Sequence, residues 1–168
     1  MRTRLSLTLT LLSCASLSGA SAVTPPVTPI LQPGQAWVMQ AGTPLPGWPA
    51  GGVVIPLGAS RKVGAGSVKF TVPPRTDGAA TVTDDLFYDP LDSDPEFIVG
   101  TRLTVRPGAA PVSVSCMVRT PHALVGRPQQ GLLIRGDLFS REVVSSVLAY
   151  LQSGLQAGQP TCTLTRTR

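Results

Sequence analysis

A chain of 168 residues carrying a formal net charge of +5 is long enough to bury one substantial core and too short for two comfortable domains. Setting aside a leader that contains Arg2 and Arg4 lowers the charge to about +3, a mild bias that excludes the strongly basic profile of a nucleic-acid binder. With 17 glycines and 17 prolines the chain stays below low-complexity composition, yet it must turn often, which favours many short strands.

Residues 1–22 read as an address. Arg2 and Arg4 form a basic start, residues 5–12 a short apolar core, and Ala20, Ser21 and Ala22 a small-residue cleavage site, the pattern of a secretory signal. A rival reading uses "LLSC", in which Leu11, Leu12 and Ser13 precede Cys14 as in bacterial lipoprotein signals, so that Cys14 becomes the lipidated first residue. Either way the expected location is extracytoplasmic: secreted or periplasmic in the first case, lipid-anchored at the envelope in the second. No later apolar run approaches the ~18 residues needed to span a bilayer. Residues 23–35 hold four prolines and read as an extended spacer ahead of a single domain over 36–168.

Strands are expected around Trp37 and at residues 53–57, 68–72, 80–83, 97–99, 102–106, 112–119, 132–135 and 161–167, with Gly/Pro punctuation between them. That spacing predicts a mainly β fold, either an antiparallel β-sandwich or a small β-barrel. One stretch differs. In "SREVVSSVLAYLQSG", Val144, Val147, Leu148, Leu151 and Leu155 fall at helical spacing, Ser140 can cap the start, Glu142 suits the first turn and Gly154 can end it, so a helix is expected over 140–153. A strand pair is the competing reading, because three valines and two serines are poor helix formers.

Cys116 shares a strand face with Val112, Val114 and Val118, and Cys162 shares one with Leu164, so both thiols point into the core. In an oxidising compartment they are expected to form a disulfide.

The stretch "DDLFYDPLDSDPE" packs six of the chain's nine acidic residues into 13 positions. Asp89, Asp92, Asp94 and Glu96 are the candidate ligands for calcium, which would offset their mutual repulsion. The pattern departs from an EF-hand, whose glycine and final glutamate fall, counted from Asp92, on Phe97 and Leu103. A solvated loop is the simpler expectation, and a docking face for a basic partner a third.

Trp48 lies in "PLPGWPAGG", a stiff turn suited to displaying an indole for stacking on a sugar or a peptide, with Phe87 and Tyr88 extending the platform. Against that, eight aromatic side chains in all leave few to spare from the core. The arginines outnumber the lysines 12 to 2. Arg102 and Arg106 alternate with Leu103 and Val105, and Arg119 follows Val118, which predicts a basic stripe on the solvent side, suited to phosphate or carboxylate groups of an anionic envelope polymer. An arginine-rich genome would produce the same ratio without any ligand.

Catalysis has few residues to draw on. His122 is the sole histidine, no G-x-S-x-G or S-x-x-K motif is present, and the cysteines are committed to a bridge. The expectation is a non-catalytic binding or structural module of the cell envelope, with no cofactor beyond the calcium option, whose partner is an envelope polymer or another exported protein rather than nucleic acid. The rival readings are an inhibitor presenting "PLPGWP" to an exported enzyme and a hydrolase using His122.

Overall fold

In a computed structural model, the described residues are 30–64, 67–90, 96–119, 121, 124–137 and 140–168. Residues 1–22, expected as a leader and including Cys14, and residues 23–29 of the expected spacer lie outside them. The chain runs β1 (Ala36–Ala41), β2 (Val53–Pro56), β3 (Ser60–Lys62), β4 (Val68–Thr71), β5 (Arg75–Asp77), β6 (Ala80–Asp89), β7 (Phe97–Val105), β8 (Val112–Arg119), β9 (Pro128–Arg135), α1 (Arg141–Ser153) and β10 (Thr161–Arg166). The strands form one antiparallel sheet in the order β2-β1-β10-β9-β8-β7-β6-β4-β3, with β5 paired to β6. The sheet curls into a half-barrel, and β2 comes against β6 across its concave side.

Period-two patterning sorts the side chains. Trp37 and Met39 of β1, Leu86 of β6, Ile98 of β7, Leu133 of β9 and Leu164 of β10 meet on the concave side with Phe70 and Ile55. On the convex side Val99, Met117, Leu132 and Ile134 form a second cluster with Tyr150 of α1. β9 serves both clusters, which explains why "GLLI" is an unbroken buried run rather than an alternating one.

Packing begins before β1. Leu31 is 2% exposed and sits in the concave core. Gln35 is buried too: its Nε2 donates to the Ile30 carbonyl at 3.1 Å and its Oε1 accepts from Trp37 Nε1 at 3.0 Å. Residues 30–35, read from their prolines as spacer, therefore belong to the packed body.

Two glycines shape the curl. Cys116 and Cys162 form a disulfide between β8 and β10, which are separated in the sheet by β9. Strands two apart in a flat sheet lie roughly 9–10 Å from each other, yet these Cα atoms are 5.8 Å apart, so the sheet folds sharply along β9. Gly131, opposite Cys162, makes that fold possible, because a Cβ there would run into the Met117 carbonyl. Gly100 plays the matching part in β7: the space its side chain would need is filled by Leu164 and Met39, each 3.1 Å from the Cβ position.

α1 begins and ends as the sequence indicates. Ser140 Oγ accepts from Val143 N–H at 3.3 Å, Glu142 stands in the first turn, and Gly154 takes a left-handed φ of 75°. Its buried face differs from the expected one. Val143, Val147, Tyr150 and Leu151 pack on the sheet, while Val144 and Leu148 point outward. The buried Tyr150 centres the face, and its hydroxyl accepts from the Arg119 backbone N–H at 2.9 Å.

Candidate functional site

Three predicted binding residues, Trp48, Arg102 and Arg106, come together at one end of the half-barrel. With Thr104, Pro46 and Val112 they line a hollow of about 70 Å³. β7 reaches it with Gly100, Arg102 and Thr104 facing inward, opposite Leu86, Asp84 and Val82 of β6. The expected face is thereby inverted. Arg102 has an 11% exposed side chain, whereas Leu103 and Val105, expected inside, are 37% and 40% exposed.

The inversion has an electrostatic cause. Asp84 is wholly buried, and a carboxylate out of water must be paired and hydrogen-bonded. Arg102 grips it bidentately, Nε to Oδ1 at 2.8 Å and Nη2 to Oδ2 at 3.1 Å, and Arg75 Nη1 from β5 reaches Oδ2 at 2.6 Å. The loop over residues 42–52 then folds back through bonds from Trp48 N–H to Leu45 and from Gly52 N–H to Pro49. This brings the indole half-buried onto the core, with the Arg102 guanidinium carbon 5.5 Å from the ring centroid. Trp48 Nε1 is enclosed with no acceptor among the described residues. An exposed reactive loop here would present Pro46 and Gly47, not the indole.

Tyr88 and Arg119 lie at the opposite end of the sheet. Tyr88 is buried on the concave face, pointing away from Phe87, so the two cannot extend a platform from Trp48. Arg119 is half-buried on the convex side, and its Nε is enclosed with no acceptor among the described residues. The five residues therefore form no continuous stripe.

Burial, then the facing Glu96 and Asp89 carboxylates, push the Tyr88 hydroxyl up from 10.0 to about 12. Burial also raises Tyr150, against a smaller lowering by Arg119. Ionisation is disfavoured in the folded state, so the associated stability is present below pH 10 and lost as pH rises through the folded value. These are the only tyrosines in the chain. A tyrosinate absorbance titration of the folded protein is expected to show no component at the ordinary value, and Tyr88→Phe should remove the component near 12. A full-amplitude component at 10 in the folded protein contradicts this environment.

Half of the acidic stretch is strand rather than loop. Asp84, Asp85 and Asp89 are in β6: Asp84 is the buried partner just described, Asp85 pairs with Lys69 at 2.9 Å, and Asp89 accepts from Ser67 Oγ at 3.0 Å. Glu96 is half-buried beside Tyr88. Asp92, Asp94 and His122 lie outside the described residues. Among the described residues, no group of three or more His, Cys, Asp or Glu side chains is placed to hold a metal ion. Nor is any helix among them long and apolar enough to cross a membrane.

Asp84, Arg75 and Thr104 were missed as site residues. The signal for Asp84 was an acidic residue sharing parity with Val82, Leu86 and Tyr88 on one apolar face, which demands a cation from a neighbouring strand. Compared with known proteins, the chain matches no family, no curated protein and no solved structure.

Proposed function

We propose that the chain is a non-catalytic binding module of the cell envelope that holds anionic groups of an envelope polymer, phosphate or carboxylate, at the end of the half-barrel formed by Trp48, Arg102 and Arg106. One observation carries this reading: the guanidinium groups of Arg75 and Arg102 share the single carboxylate of Asp84. Arg106, exposed on the same rim, has no carboxylate partner among the described residues. Even with the exposed Asp77, on the same face of β5 as Arg75, positive charge is in surplus there. The Asp84 fork and the indole fix Arg102 in place, so binding would not have to order that side chain.

The test uses polygalacturonate, a carboxylated polysaccharide, with neutral dextran as control and Trp48 emission as reporter. Wild-type protein should bind the first and not the second, more weakly as salt is raised. Arg106→Gln, an exposed change that leaves the Asp84 cluster intact, should weaken binding about fivefold. Equal affinity for dextran, or an Arg106→Gln variant that binds like wild type, removes the proposal.

A further inference from the structure

The convex face holds a second cavity, remote from the first. α1 covers β9 and part of β8 but leaves a cleft between its Val147 edge and β4. The cleft has a volume of about 480 Å³, within the range of small-molecule sites, and Phe87, Phe97, Val99, Met117 and Val147 line it. The Phe87 and Phe97 rings stand 6.3 Å apart, tilted by 47°, and both side chains remain partly exposed. Water against such a surface is unfavourable, and an apolar occupant would recover that free energy.

One end of the cleft is charged. Lys69 lines it and gives one of its three donors to Asp85 Oδ2 while its side chain stays 39% exposed. The antiparallel register sets Arg61 directly opposite Lys69, on the same face of the sheet, and Arg61 is exposed. Asp85 is the acidic residue lining the cleft, and its second oxygen is enclosed by protein. An apolar trough thus ends at two cations; among the described residues that line it one carboxylate is found, that of Asp85, already engaged, while Asp89, two residues beyond Phe87 on the same face of β6, is held by Ser67. That is the charge and shape complement of an alkyl chain with an anionic head.

We propose that this cleft binds a single-chain amphiphile of the fatty-acid class, its alkyl chain lying across Phe87, Phe97 and Met117 and its carboxylate meeting Lys69 and Arg61. The neutral thioether of Met117 and the tilted rings accommodate a flexible chain without demanding one shape. The carboxylate gains a charge-assisted bond to the ammonium, which selects an acid over an alcohol of equal length.

The probe is carboxyl-labelled decanoate, followed by carbon NMR below its micelle concentration, with decan-1-ol as the uncharged comparison. Saturable decanoate binding by the wild-type protein is expected. Lys69→Met keeps the aliphatic stem and deletes the charge, so it should weaken decanoate about fivefold and leave decan-1-ol unchanged. Val147→Trp, which fills the trough from the helix side, should abolish binding of both. Arg106→Gln, at the other end of the molecule, should alter neither. The proposal is overturned by the absence of saturable binding, by a Lys69→Met variant that binds decanoate like wild type, or by decanoate affinity that follows Arg106 instead. If Val147→Trp fails to fold, Lys69→Met still decides the matter, since it leaves the shape of the trough intact.

Discussion

Replacing Cys116 and Cys162 together with alanine is expected to cost on the order of 4 kcal/mol and to lower the melting midpoint by about 12 °C. The size follows from the separation of 46 residues between the two cysteines, which fixes how much freedom the bridge removes from the unfolded chain. Both sulfurs are fully buried among Leu133, Leu164 and Val118, so alanine also leaves a small cavity, which works in the same direction. The bridge holds β8 against β10 over Gly131, where the sheet bends most sharply, and its loss should loosen that bend before the rest. Thermal melts of the oxidised protein and the double variant measure the difference. A shift of only one or two degrees would mean that the bend is held by packing alone. Alkylation of the unreduced, denatured protein should label neither position.

Asp84→Asn is the second large expectation, at about 3 kcal/mol. Removing the carboxylate leaves the Arg102 guanidinium, only 11% exposed, without its counter-charge in a site that water barely reaches. Arg75 is 44% exposed and contributes much less, because solvent screens its charge once the partner is gone. The loss should therefore be recovered largely by Asp84→Leu combined with Arg102→Met, which takes both charges out of the core and keeps its volume. Urea denaturation of the two single variants and the double variant gives the coupling directly. If the double variant is no more stable than Asp84→Asn, the ion pair is not what sets the face of β7.

Much of the architecture was legible wherever one strand carries its own pattern. β8 was placed residue for residue because Val112, Val114, Cys116 and Val118 alternate with polar neighbours. The disulfide followed from the parity of its two cysteines, and α1 from its capping serine and terminal glycine. β3 and β5, three residues each, are too short to show any period. The failures share a physical cause. β7 carries Leu103 and Val105 on one face and Arg102 and Thr104 on the other, and hydrophobicity alone puts the leucine inside. What decides the matter is Asp84, 18 residues earlier and directly across the ladder. Aspartate is depleted in strands, so the acidic run read as loop where β6 in fact continues. Trp48 is expected from its stiff turn to display its indole, but the ring folds inward onto the core beside Arg102, a contact between distant segments that spacing does not reveal.

The position of β10 has a kinetic corollary. It is made after every other strand, yet it lies between β1 and β9, where it splices the block containing β1 and β2 to the rest of the sheet. Until it arrives, a chain emerging from its amino end has two raw borders and no way to seal its interior, which makes for high contact order and late closure. Such a chain keeps both borders open until its final strand is in place, which invites sticking to its neighbours on the way.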